Sequence, residues 1–188
     1  YSTLNKRVKL NASIFYNDYR DLIDNTQSGP MRNVADARQY GGEIEFNFII
    51  NDWLNGFANY AYQTIDRDDF GRLEVDPEHK INSGLTAKYG KWTANLILHY
   101  VSSYYEIYLT SNPVLGRVQP APIKVDAYAT VNARLAYNFS DNLEIAIAAS
   151  NLFKDRHYES NPPDSNPNNW HSGDPVGRRI IASMNFKF

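Results

Sequence analysis

Three side chains able to hold a metal ion, His157, His171 and Asp174, fall within the longest polar stretch of the sequence. Neutral imidazoles and a carboxylate bind a divalent cation when they converge. Their spacing fits no compact ligand motif, and without any cysteine there is no thiolate to join them, so they read as solvated loop residues. Asp66, Asp68 and Asp69, around Arg67, resemble a calcium-type acidic cluster. The cluster lacks the full loop spacing and the downstream Glu of such a site, and it too reads as solvated. No Ser/His/Asp order, phosphate loop or isolated carboxylate pair stands out, so neither an enzyme nor a cofactor is expected. A net charge of -2, from 19 basic and 21 acidic residues, supplies no basic field for nucleic acid.

The remaining chemistry is that of binding. Tyr104 and Tyr105 open one long polar segment, and Trp170 and His171 sit in another; aromatic side chains on such loops suit capture of a small molecule. A second set, Glu43, Glu45, Asp126, Arg134, Glu144 and Arg179, shares the polar parity of the runs described next. These charges could pair across strands or grip a domain held inside a barrel through charge-assisted hydrogen bonds.

The elements that must position these residues follow a period of two. In residues 8–17, Val8, Leu10, Ala12, Ile14 and Tyr16 alternate with Lys9, Asn11, Ser13 and Asn17, an alternation that a helix would scramble. The same pattern predicts strands over 38–49, 53–63, 79–89, 92–103, 125–137, 143–152 and 177–188, which makes eight. Gly41 and Gly42 mark a bulge or a close approach of backbone. All nine prolines fall outside the runs, as a full ladder of N–H donors requires. Connections alternate between tight ones at 50–52, 90–91 and 138–142 and long polar ones at 20–33, 66–78, 104–124 and 153–176. Such alternation is the plan of an outer-membrane barrel with periplasmic turns and extracellular loops, and it puts both chain ends on the periplasmic side.

No run approaches the ~18 apolar residues of a spanning helix. The mean hydropathy of -0.54 fits a barrel equally well, because its strands show lipid only on alternate residues. Aromatics cluster at strand ends, with Trp53, Trp92, Tyr89, Tyr137 and Phe188 on the short-turn side and Tyr60, Tyr62, Tyr100 and Tyr104 toward the long loops. That distribution matches two interfacial girdles. A soluble ligand-binding barrel with its apolar face inward is the other way to satisfy the alternation. The chain begins at Tyr1 without an initiator Met or a leader pattern, so its start is expected to be internal or processed.

The end of the chain carries a family resemblance. Ile180, Ala182, Met184, Phe186 and the terminal Phe188 are similar to the signal read by the barrel assembly machinery. The segment from Asn151, Leu152 and Phe153 to Tyr158 resembles the "NLF(D)K..Y" motif before the last strand of TonB-dependent receptors, and Pro175, Val176, Gly177 and Arg178 resemble their "PGR". Phe15 to Ile23 and Gly42 to Glu45 also read like barrel strands of that family. The departures are Lys154 at a usually acidic position, Tyr158 one residue late and Val176 interrupting "PGR".

This resemblance implies an all-β, antiparallel, up-and-down transmembrane barrel, with residues 1–188 as the C-terminal segment of a wall of about 22 strands. The plug and its energy-coupling box would lie outside this sequence. It further implies energised uptake of a scarce solute, of iron-siderophore or vitamin-like kind, in the Gram-negative outer membrane. The implied partners are lipid, the small-molecule cargo, the assembly machinery and, through the absent N-terminal part, the TonB complex. A self-contained eight-stranded outer-membrane barrel, serving as an anchor or adhesion protein, is the second expectation.

Overall fold

The computed structural model describes residues 2–3, 7–24, 32–68, 76–112, 117–153, 156–160 and 175–188. The strands are β1 (Ser2–Thr3), β2 (Val8–Asp24), β3 (Arg32–Asn51), β4 (Leu54–Arg67), β5 (His79–Tyr89), β6 (Trp92–Val101), β7 (Tyr104–Asn112), β8 (Arg117–Val125), β9 (Tyr128–Ser140), β10 (Leu143–Ser150) and β11 (Arg179–Phe186). Nine of them form one antiparallel sheet in the order β1-β2-β3-β4-β5-β6-β9-β10-β11, while β7 and β8 pair only with each other. The eight expected strands are all present, and each full-length strand of the sheet pairs with its neighbour in the chain except across the β7–β8 insertion. The sheet is open: β2, apart from the two residues of β1, and β11 are its edges.

Alternation does here what it does in any half-apolar sheet, with an unusual result. Among the described residues the only buried hydrophobic side chains are Ala37, Val101, Val125, Ala136 and Ala146. The large ones are on display, with Ile14 92% exposed and Met184 70% exposed. At roughly 25 cal/mol per Å² of apolar surface, a sheet with no core is sustained only by an apolar surround. The cross-strand pairs keep the two faces separate: Ala94 lies beside Ala87 and Leu135, whereas Asn95 lies beside Thr86 and Arg134.

Three expectations need correction. The 104–124 segment is a hairpin and not a loop, and Pro120 and Pro122 sit inside β8, opposite Leu109 and Ile107. Residues two apart in a strand turn their nitrogens to the same side. A two-stranded ribbon can therefore carry both prolines if that side is its outer edge, where no donor is needed. Second, the strands of the first hairpin are longer than the alternation suggested, with 17 residues in β2 and 20 in β3. About 9–11 suffice to cross a bilayer, so these strands extend beyond it on the long-loop side. Likewise β4 runs through Arg67, which puts Asp66 in a strand opposite Arg38; Asp69 lies outside the described residues. Third, Asp126 belongs to the link between β8 and β9, outside the strands of the wall, and pairs with Lys124 at 3.5 Å.

Gly41 and Gly42 prove to be a close-approach site, since the ladders on both sides of β3 pass through them in register. A Cβ on Gly41 would collide with the Tyr62 carbonyl oxygen and come within 2.7 Å of the Phe15 ring. The irregular register lies between Tyr19 and Leu22, where Asp21 has φ 56° and its N–H donates to Asp36 Oδ1 at 3.0 Å.

Candidate functional site

The polar face divides into a wall and a mouth. In the wall, Arg134 on β9 donates to Glu144 on β10 at 2.6 Å, and Asn185 on β11 donates to the same carboxylate oxygen at 3.2 Å. Ala136 and Ala146, opposite each other beneath this bridge, are buried at 0% and 3% exposure. Small side chains there let the long Arg134 side chain lie along the sheet and span the strands. On the same face, toward the β2 edge, Glu45 accepts from Asn11 at 3.0 Å and from Asn47 at 2.6 Å. Glu43 stands on the same face between Ser13 and Ala61, and Arg179 stands opposite Ser150. Of the six charges read on the polar parity, then, Glu45, Arg134 and Glu144 join hydrogen-bonded networks of the wall itself.

The mouth is at the long-loop end. Tyr128, first residue of β9, lies on the polar parity and stacks on His157 with ring centroids 4.2 Å apart and planes at 17°. The His99 ring lies 6.3 Å from that of Tyr128 and shares a 3.2 Å hydrogen bond with Asn82. His157 is buried, 7% exposed, and its Nε2 lies 3.3 Å from Glu159 Oε1. Tyr104, at the base of the β7–β8 ribbon, donates its hydroxyl to the Glu159 carbonyl. Burial first, and then the carboxylates of Glu106, Glu159 and Asp76, push the Tyr104 phenol above its ordinary value. Tyr105 pairs with Lys124 in the ribbon.

Asn151 brings this cluster together. Its backbone is left-handed at φ 50°, a conformation Asn tolerates better than most residues, and it stops β10 there. Its N–H donates to Asn132 Oδ1 at 3.0 Å and its side-chain amide donates to the Val176 carbonyl at 3.4 Å. Leu152 N–H donates to the Val131 carbonyl at 2.8 Å, and Val176 N–H to the His157 carbonyl at 2.8 Å. The NLF turn thus folds the chain back across β9 and pins both ends of the last long segment.

Tyr104 is at this end of the sheet, as the first residue of β7 and not in a loop, and Tyr105 follows it in the strand. Trp170, His171 and Asp174 lie outside the described residues. Among the described residues no three His, Asp or Glu side chains converge as metal ligands. Tyr128, His99 and Glu159 were not singled out from sequence, although an aromatic on the polar parity of β9 was a readable signal.

The apolar face carries two rings. Trp92 and Tyr137 lie 4.7 Å apart on the short-turn side, Tyr137 meets Phe139 edge-on at 4.8 Å, and Phe186 meets Phe188 edge-on at 5.2 Å. At the opposite end Tyr60 shares a 2.8 Å hydrogen bond with His79, whose ring lies 5.2 Å from that of Tyr62. Two belts of amphipathic rings separated by aliphatic side chains are what a membrane selects.

Comparison with known proteins agrees with this geometry. Residues 2–152 match the family model described as TonB dependent receptor-like, beta-barrel. The fold is similar to that of the ferripyoverdine receptor of the outer membrane of Pseudomonas aeruginosa, with TM-score 0.74 and 15% identity over 98% of this chain and 25% of that one. It is similar also to the copper transporter OprC, with TM-score 0.73 and 20% identity over 98% of this chain and 30% of that one. A third such structure is the ferric-catecholate import receptor Fiu from K12 E. coli, with TM-score 0.71 and 20% identity over 100% of this chain and 26% of that one. The chain therefore spans 25–30% of the length of these structures. With its lipid-facing apolar side, aromatic belts and matched family model, this chain belongs to the TonB-dependent receptor β-barrel family of the Gram-negative outer membrane.

Proposed function

We propose that residues 1–188 are the C-terminal wall of an outer-membrane receptor that takes up a scarce solute with energy supplied through TonB. The observation that carries this reading is the open sheet. Its polar face carries the hydrogen-bonded charges Glu45, Arg134 and Glu144, and its β2 and β11 edges offer main-chain groups to further strands. An unsatisfied N–H or C=O in hydrocarbon costs several kcal/mol, so a wall of this kind stands in a membrane only when both edges are paired. A self-closed eight-stranded ring would pair β2 with β11, and these two strands are the opposite ends of the sheet.

In this reading the wall encloses a plug that contacts Glu43, Glu45, Arg134 and Arg179 from inside, and Phe186 and Phe188 present the assembly signal. The mouth around Tyr104, Tyr105, Tyr128 and His157, with the segment holding Trp170 and His171, meets the cargo. One similar structure is a ferripyoverdine receptor, another a copper transporter and a third a ferric-catecholate import receptor, so a single fold serves several cargoes. We favour an iron chelate, the commonest kind among them; the protein is a transporter and not an enzyme.

The test is accumulation of labelled iron on a panel of ferric siderophores and of labelled vitamin B12. Cells stripped of their own receptors would express the full protein. Uptake of one cargo that stops when TonB is deleted is expected. Uptake of none, or uptake indifferent to TonB, would overturn the reading.

A further inference from the structure

The polar face is not polar throughout. Near its middle the ladders align Asn47, Phe57, Gly84, Ile97 and Asn132 in one row across β3, β4, β5, β6 and β9. The Phe57 ring lies over Gly84, where a Cβ would come within 2.6 Å of it. Aromatic cover of a glycine is a device that sheets use to hold register, and by itself it needs no partner. Ile97 has no part in that cover, yet it stands in the next strand of the same row, 37% exposed. Phe57 and Ile97 thus form an apolar island at mid-height, Gly84 being the central residue of the 11 in β5.

The rows on either side are polar, with Asn59, Asn82 and His99 toward the mouth and Asn55, Thr86 and Asn95 toward the short turns. Much of this frame is satisfied within the wall. Asn95 donates to Thr86 at 2.9 Å, and His99 and Asn82 share their 3.2 Å hydrogen bond. Asn47 donates to Glu45 at 2.6 Å, and Asn132 accepts from the Asn151 N–H at 3.0 Å. An apolar centre inside a polar rim is the layout of a binding contact. With so many of the rim's hydrogen bonds already made, what the island lacks is an apolar group to cover it.

Lipid is not that group, because the island is on the opposite face of the sheet from the aromatic belts. Eight strands are a little over a third of a wall of about 22, yet the chain spans only 25–30% of the similar structures, so part of each of those is something other than wall. We propose that the plug of the receptor seats one apolar side chain on Phe57 and Ile97, inside the asparagine frame. This rests on the receptor reading given above and adds to it a contact without charge. The amides that bond within the wall keep their partners whether the seat is filled or empty. The seated side chain therefore leaves without stranding those donors and acceptors, and the plug can make and break this contact.

The experiment uses the full receptor in living cells, with Ile97→benzoylphenylalanine as a photoreactive probe. Irradiation should cross-link position 97 to one segment of the plug, identified by mass spectrometry after proteolysis. In the purified receptor, Ile97→Asn should then quicken hydrogen exchange in that segment about tenfold and leave β5 and β6 unchanged. Ile181→Asn, on the same face of β11 and outside the frame, should leave the segment as it is. Capture of no segment outside the wall, an exchange rate unmoved by Ile97→Asn, quickening confined to β5 and β6, or equal quickening by Ile181→Asn would overturn the proposal. The two readings fail separately: TonB-dependent uptake with no capture at position 97 refutes only this inference, whereas uptake of no cargo refutes the receptor reading whatever the probe captures.

Discussion

The two ends of the same sheet are held together by different chemistry. At the short-turn end, neighbouring turns are linked by backbone groups: Lys88 N–H donates to the Trp53 carbonyl at 2.7 Å, Asn138 N–H to that of Lys91 at 2.9 Å, and Lys187 N–H to that of Asn142 at 2.9 Å. Side chains there are mostly rings directed at lipid. At the long-loop end backbone links such as Ser102 N–H to the His79 carbonyl at 2.9 Å are joined by links through particular side chains, Tyr128 on His157, Tyr104 on Glu159 and Asn151 on Asn132. Backbone links tolerate any sequence that keeps the turn, whereas side-chain links depend on residue identity. In the proposed receptor, the end that adds side-chain links is the one that would discriminate among solutes.

The contrast presupposes that a membrane separates the two ends. In intact cells bearing the full protein, Asn112→Cys, in the ribbon, should react with an impermeant thiol reagent to completion, and Asp141→Cys, in a tight turn, not at all. The opposite labelling would exchange the two ends. Next in size is Leu96→Arg, expected to cost about 2–4 kcal/mol at the bilayer midplane, while its neighbour Asn95→Arg costs far less. Unfolding titrations in lipid that rank the two in reverse would turn the wall inside out.

Two smaller effects sharpen the contrast itself. Gly90 holds φ 57° in a short turn, so Gly90→Ala should cost about 1–2 kcal/mol. Gly177, at the loop end, would place its new methyl in open space, and Gly177→Ala should stay within about 0.5 kcal/mol by the same titration. A double-mutant cycle on Tyr128 and His157 should return about 0.5–1.5 kcal/mol of coupling, with hydrogen exchange quickening at 156–160 and not in the wall. No coupling would reduce the mouth to scaffold.

The least effect is one of pH. The Tyr104 phenol titrates higher in the folded state than free in water, so its link to Glu159 is intact below the free value of ~10 and is lost as pH rises through the folded one. Absorbance titration of wild type against Tyr104→Phe should show one phenol ionising late. A phenol ionising with the others would dissolve that contact.

Most of the wall could be read from parity because lipid on one side and water on the other impose a strict period of two. The eight strands, their order and the tight turns follow from that constraint. The hairpin was hidden because Pro120 and Pro122 signal interruption, and only its two-stranded form makes them permissible. The extensions of β2 and β3 were hidden for a related reason: once clear of the bilayer, Asp18 and Arg20 are no longer selected by lipid. Of the site, Tyr104 was legible as an aromatic at a loop boundary. Tyr128 and His157 were not paired in advance, because their meeting depends on Asn151 reversing the chain, a contact across 29 residues of sequence that no periodicity encodes.

The prolines of β8 have one more consequence, which concerns crowding. Receptors packed side by side in a membrane bring their protruding ribbons within reach of one another, and an exposed strand edge invites a foreign strand to add on. With the nitrogens of Pro120 and Pro122 turned outward, two donors would be missing along that side of β8, which makes it a poor template for an incoming strand. That arrangement would disfavour ribbons of neighbouring copies zipping together through β8.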